Sequence, residues 1–283
     1  MKIWYKITPF VLLFSLMGCH QIDSSRVVYA SFYPVYDFTS RIVGNLYKVE
    51  SLTPPGTEPH DFELSPKKIA GIIDSKGLIV NGINIESWVD DLPKEVKNKT
   101  CVVSDGVEIR KTNGQEDPHI WLNPLNAIKE MENIANFMCQ IDENNQTTYL
   151  ANLANATASF VELDNELMAI VNSLMQKNIV VAHAAYGYMC DRYGLNQISI
   201  NGIEPDQEPT AQTIENIIDA VNEYHITTIF TEELISSDIA DFISKQCHIK
   251  VEVLSPLEEV EDGEDYISVM KENFQKIKEA SND

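Results

Sequence analysis

The chain alternates two hydrophobic rhythms. Short segments of the strand type, Val27-Val28-Tyr29-Ala30, residues 47–52, Gly77-Leu78-Ile79-Val80 and Cys101-Val102-Val103, have turn residues nearby. Between them the spacing changes to three and four. Residues 65–74 open on Ser65-Pro66 and set Ile69, Ile72 and Ile73 on one face, which predicts a helix with proline in its first turn. Asn123-Pro124 opens another, whose Ile128, Met131, Ile134, Ala135 and Met138 keep the same spacing. Alternation of this kind predicts an α/β domain.

The middle of the chain differs. Residues 146–177 contain no proline and no glycine, and Leu150, Leu153, Phe160, Leu163, Leu167, Ile170, Val171 and Leu174 hold a helical stripe for most of that length. Thirty residues of helix span roughly 45 Å, about one domain diameter, which suits a rigid connector. The strand–helix grammar then resumes. Strands are predicted at 179–182, 198–200, 228–230 and 250–253, and helices at 186–193 (closed by Gly194), 210–224 and 266–280. The predicted organisation is therefore an N-terminal α/β lobe over 19–145, a connecting helix over 146–177 and a C-terminal α/β lobe over 178–283. Two such lobes leave a cleft between them.

The first residues lie outside this scheme. Lys2 and Lys6 precede the apolar run Phe10-Val11-Leu12-Leu13-Phe14, which continues to Leu16-Met17, about half the roughly 20 residues a spanning helix needs. The run ends at Leu16-Met17-Gly18-Cys19, a pattern that resembles a bacterial lipobox, with residues 1–18 removed as a signal peptide and lipid carried on Cys19. Export and a lipid anchor to the cell envelope, in the periplasm or at the outer surface, are the corresponding expectations.

At 283 residues and 44% hydrophobic, the chain can bury a sizeable core, and disordered or collagen-like classes are excluded. Charge narrows the picture further. The balance of 21 Lys+Arg against 43 Asp+Glu gives −22, and loss of residues 1–18 takes two lysines and no acid, leaving −24. Such a surface repels phosphate backbones and anionic lipid, so a nucleic-acid partner is excluded and a cation or a basic partner fits better. The four later cysteines, Cys101, Cys139, Cys190 and Cys247, form no CxxC pair, which argues against a thiolate zinc cluster and leaves buried free thiols as the default.

Three of the six histidines share a context. His60 follows the strand ending near Leu52, His119 lies in a loop leading to a helix start, and His183 directly follows the strand ending at Ala182. Ligands of open α/β sheets bind outside the carboxyl ends of strands, so all three imidazoles can face one crevice. Imidazole suits zinc, which is usually four-coordinate, and neighbouring Glu58, Asp61 and Asp117 can hold the second ring nitrogen. His20, His225 and His248 lack this context.

The segments Gly56-Thr57-Glu58-Pro59-His60-Asp61, Asp117-Pro118-His119-Ile120-Trp121-Leu122-Asn123-Pro124 and His183-Ala184-Ala185-Tyr186-Gly187-Tyr188 resemble the zinc/manganese solute-binding proteins of ABC transporters. Glu208-Pro209-Thr210, Phe230-Thr231-Glu232 and the helix from Tyr266 extend the likeness over essentially the whole mature chain. The resemblance implies two Rossmann-like α/β lobes with central sheets, joined by one long helix, with the metal in the inter-lobe cleft. It implies a monomer that hands its ion to a permease, and metal ligands at His60 and His119. Zinc-type members have histidine at the place of His183, whereas manganese-type members often have glutamate, so Zn²⁺ is expected, with Mn²⁺ as the alternative.

Two departures stand out. Where the family commonly has an acidic ligand, this chain reads Leu254-Ser255-Pro256-Leu257, leaving the fourth position to water or to one of Glu58, Glu204, Glu232 and Glu258. Residues 105–116 also lack the histidines that many zinc-type members carry there. A zinc hydrolase built on three histidines is the competing reading, since three imidazoles and a water can generate a nucleophile. No HExxH, GxSxG or P-loop supports it, and no enzymatic activity is expected.

Overall fold

The computed structural model describes residues 24–112 and 114–282. Residues 1–18, Cys19 and His20 lie outside the described residues. Among those described, no helix is long and apolar enough to cross a membrane.

The first lobe runs β1 (Val27–Ala30), α1 (Tyr33–Val43), β2 (Lys48–Ser51), α2 (Pro66–Asp74), β3 (Gly77–Val80), α3 (Lys94–Lys97) and β4 (Thr100–Val102). Its strands are all parallel, in the order β2-β1-β3-β4. A two-residue antiparallel pair, β5 (Lys111–Thr112) with β6 (Gln115–Glu116), precedes α4 (Pro124–Ile141).

Next comes α5 (Gln146–Val171), 26 residues and about 39 Å long. It ends at Val171 rather than at residue 177, because residues 172–177 turn the chain into the next strand.

The second lobe runs β7 (Asn178–Val181), α6 (Gly187–Tyr193), β8 (Asn196–Ser199), α7 (Ala211–Glu223), β9 (Thr228–Thr231), α8 (Asp238–Cys247), β10 (Lys250–Val253) and α9 (Tyr266–Asn282). Its order, β10-β9-β7-β8, is again all parallel. The central strands β3 and β9 are buried throughout, as a strand covered by helices on both faces must be.

Local chemistry sets the helix starts. The side chains of Ser65, Asn123 and Thr210 accept hydrogen bonds from the amides of Lys68, Leu125 and Thr213, capping α2, α4 and α7. Pro66 and Pro124 occupy first-turn positions that need no N–H. Gly194 closes α6 at φ +70°, a conformation glycine adopts without steric cost.

The two lobes share one core. The Phe160 ring of α5 stacks on Tyr266 of α9 at 4.8 Å, and Phe38 of α1 meets both edge-on. Tyr266 Oη donates to Trp121 O (2.6 Å), Trp121 Nε1 donates to Pro256 O (2.7 Å), and Arg41 bridges Asp37 and Asp265. The last helix thus laces the second lobe to the first. Cys101, Cys139, Cys190 and Cys247 are free thiols, and burial pushes those of Cys101 and Cys190 up to about 12, so they stay protonated.

Candidate metal centre

Every strand of the second lobe ends beside the cleft, and each is followed by a polar side chain there. His183 follows β7, Glu204 follows β8, Glu232 follows β9 and Glu258 follows β10. The neighbouring pair β7 and β9 flanks the point where the strand order reverses, the usual ligand position of an open parallel sheet. From the first lobe come two histidines. His60 sits in a short turn over Pro59–Asp61, after Pro54-Pro55-Gly56-Thr57, where Gly56 takes φ +74° and Thr57 N donates back to Pro54 O. His119 lies just before α4, and its backbone N–H donates to Asp117 Oδ1 (3.1 Å).

The three imidazoles converge. His119 Nε2 is 3.3 Å from His60 Nε2 and 3.2 Å from His183 Nε2. Glu258 completes the group: one donor atom from each of His60, His119, His183 and Glu258 lies within 4.8 Å of all the others. Glu258 Oε1 is buried, has no hydrogen-bond partner and lies 3.7 Å from His119 Nε2. Leu257 precedes it at φ +63°, a left-handed conformation costly for a branched residue.

Each ring turns its far nitrogen to a carboxylate. His119 Nδ1 lies 2.8 Å from Asp117 Oδ1, and both side chains are fully buried. His183 Nδ1 lies 2.8 Å from Glu232, also buried. His60 Nδ1 lies 3.3 Å from Glu204 Oε2. Protons held on the three Nδ1 atoms leave the Nε2 lone pairs facing one another. Asp117 is itself held, with Arg110 Nη1 at 3.4 Å and Tyr188 Oη donating to its carbonyl (2.9 Å).

Titration follows from this packing. Burial holds His119 and His183 down at about 4 and about 3, so both are neutral at pH 7. Burial also lowers His60, but Glu204, Glu58 and Asp61 more than reverse it, and its pKa is raised. Burial, followed by the charges of Glu58 and Glu232, pushes the Glu258 carboxyl well above the usual range. Facing lone pairs beside a buried, unpartnered carboxyl group are stabilised by a cation, which also favours the group's ionised form. Three imidazole nitrogens and one carboxylate oxygen fit Zn²⁺.

His60, His119 and His183, picked out by their strand-end context, are brought together, and Asp117 holds a ring nitrogen as that reading allowed. Asp61 does not do so; it lines the cleft mouth with Asp206 and Glu208. Ser255 stays out of the cluster. Its hydroxyl accepts from Leu257 N (3.2 Å), and the carboxylate arrives three residues later, at Glu258. The strand-end rule that found His183 places Glu204, Glu232 and Glu258 alike beside the cleft and does not choose among them. His225 and His248 take left-handed conformations after α7 and α8 and belong to helix ends.

The sequence model of the family described as "Zinc-uptake complex component A periplasmic" matches residues 28–280. The zinc-binding protein AdcA of Streptococcus pyogenes serotype M3 is 35% identical over 96% of this chain, which spans 61% of that relative's length. The high-affinity zinc uptake system protein ZnuA of Bacillus subtilis is 32% identical over 91% of this chain and 88% of its own. Among solved structures, a ZnuA crystal structure superposes with a TM-score of 0.84 at 30% identity, covering 91% of this chain and 99% of that one. The Zn(II)-bound ZnuA-like domain of Streptococcus pneumoniae AdcA gives 0.79 at 33% identity, covering 92% and 100%. These likenesses run through both lobes and the connecting helix, and the chain belongs to the family of periplasmic zinc-uptake complex component A proteins.

Proposed function

We propose that this protein captures Zn²⁺ outside the cytoplasmic membrane through His60, His119, His183 and Glu258 and delivers it to an ABC transporter permease. The single observation that carries the reading is the convergence of those four donors, with each imidazole's far nitrogen on a carboxylate. Three neutral nitrogens and one carboxylate make a borderline-soft set that favours Zn²⁺ over Mn²⁺. The Glu258 carboxylate takes the place that a hydrolytic zinc centre leaves open for water, which supports binding over catalysis. The lobes are assigned to residues 19–145 and 178–283 around the helical connector, and Cys19 to lipid attachment on a monomeric mature chain. One relative, the zinc-binding lipoprotein AdcA of Streptococcus pneumoniae, is 33% identical over 92% of this chain and supports the anchor.

The test is metal content and competition. Protein purified without a metal-affinity tag should hold one Zn²⁺ per chain and retain it against equimolar Mn²⁺. His60→Ala, His119→Ala and His183→Ala should each weaken binding strongly, and His225→Ala should not. Unchanged affinity in all three site variants would overturn the assignment.

A further inference from the structure

The three imidazoles are not held alike. His119 and His183 lean on Asp117 and Glu232, buried carboxylates of their own lobes. His60 belongs to the first lobe, its side chain is 4% exposed, and its partner Glu204 comes from the second lobe with a side chain 50% exposed. Within its own lobe, His60 is tethered through its backbone, whose N–H donates to Glu58 Oε1 (3.2 Å).

The loop that presents Glu204 is firmly built. Asn201 N donates to Ala182 O (2.8 Å), and Ala184 N donates to Gly202 O (2.9 Å). Asn201 Nδ2 donates to Pro205 O (2.7 Å), and Gln207 N closes a turn onto Glu204 O (3.3 Å). The same bonds tie this loop to the residues on either side of His183, so Glu204 and His183 stand on one hydrogen-bonded frame.

We infer that Glu204 is a cross-lobe positioning residue: gripping His60 Nδ1 from the opposite lobe, it aims His60 Nε2 at the other two imidazoles and ties the completeness of the donor set to the lobes being together. The inference rests on the reading of His60 as a ligand and adds to it a residue that touches no metal. Partners that orient a ligating histidine are worth roughly 10- to 100-fold in metal affinity. Here the loss should fall on release, because an unheld His60 still reaches the ion but lets go sooner.

The experiment uses the mature chain loaded with Zn²⁺, mixed rapidly with excess chelator, alongside the visible spectrum of the Co²⁺-loaded protein. Glu204→Ala should release Zn²⁺ roughly tenfold or more faster and perturb the Co²⁺ bands. Glu204→Gln, which keeps an oxygen to accept from Nδ1, should restore much of the lost dwell time. Glu208→Gln removes the same charge from the cleft mouth without touching His60 and should release like the parent. In a His60→Ala background, Glu204→Ala should add nothing.

Parental release from Glu204→Ala would overturn the inference. So would equal acceleration by Glu208→Gln, which would assign the effect to charge alone. His60→Ala separates the two levels. Fast release there with parental release from Glu204→Ala sinks only the positioning role, whereas parental release from His60→Ala sinks the ligand reading beneath it.

Discussion

His119 Nε2 lies 3.2 Å from His183 Nε2, and both rings give their other nitrogen to a buried carboxylate. Neither nitrogen can donate to the other, so two lone pairs face one another in a dry site, which is unfavourable until a cation sits between them. Metal should therefore stabilise the fold markedly. At a free Zn²⁺ concentration 100 times the dissociation constant, mass action adds about 2.7 kcal/mol. Calorimetry should show the melting temperature rising with Zn²⁺ in the parent and barely moving in His183→Ala. A parent that melts alike with zinc and with chelator would contradict the lone-pair account.

Proton release should report which donors are ready for metal. His119 and His183, at about 4 and about 3, hold no proton on Nε2 at pH 7. His60 and Glu258 are both shifted upward, so a proton that zinc displaces comes from these two rather than from His119 or His183. Titration calorimetry in buffers of different ionisation enthalpy should give roughly one to two protons released per Zn²⁺ near neutral pH. The sign follows directly: affinity falls as pH drops through the raised His60 value, and Glu258→Gln lowers the proton count along with the affinity. Release of three protons would place His119 or His183 among the protonated groups.

Ser255 serves the turn rather than the ion. Its hydroxyl accepts from Leu257 N, while Asn273 holds its backbone on both sides (3.0 and 2.7 Å). Ser255→Ala should cost about 1–3 kcal/mol, since a buried N–H loses its acceptor. Zinc stoichiometry should stay unchanged. Ser255→Asp should not tighten zinc binding, because Glu258 already supplies the carboxylate. Chemical denaturation read beside zinc titration separates these effects, and a clear gain in affinity for Ser255→Asp would show that the anionic position was still open.

Glu130 is a stability liability away from the site. It is fully buried in α4, neither carboxylate oxygen has a hydrogen-bond partner, and burial followed by the nearby Glu86 charge raises its pKa well above the usual range. The folded state therefore holds a proton that the unfolded chain gives up above about 4.3. More protons bound in the native state means stability falls as pH rises from there toward the folded value. Glu130→Gln keeps the shape and removes the titration. Its stability relative to the parent should improve from pH 5 to pH 8 in parallel urea melts, and a difference independent of pH would refute the assignment.

Much of this protein was legible in the chain itself. The strands of both parallel sheets were placed within a residue or two; inner strands such as β3 and β9 are short, largely apolar runs because helices cover both faces, and the outer ones were marked by the turn residues around them. Proline-led starts marked α2 and α4, apolar spacing marked α7, and the long uninterrupted stripe marked α5. Three helices, α1, the single-turn α3 and α8, went unassigned. α1 begins in the strand-like run Phe32-Tyr33-Pro34-Val35-Tyr36 with no side-chain cap, and only the burial of Val35, Phe38, Thr39 and Ile42 along one face makes it helical. The histidine triad was legible because strand ends converge in this fold and each histidine stands in its own short motif.

The fourth donor and the pairing of carboxylates with rings were decided by tertiary structure alone. Glu58, Glu204, Glu232 and Glu258 are equivalent as letters: each is an acid in a loop of the cleft. Packing gives them different work. Glu232 is turned onto His183, Glu204 reaches across to His60, and Glu258 is driven into the donor cluster by the left-handed turn at Leu257. Periodicity and motif report which residues lie near a site, since they are properties of neighbours along the chain. Which oxygen meets which nitrogen depends on how the two sheets dock around their shared core, and on small differences in position that no local pattern encodes.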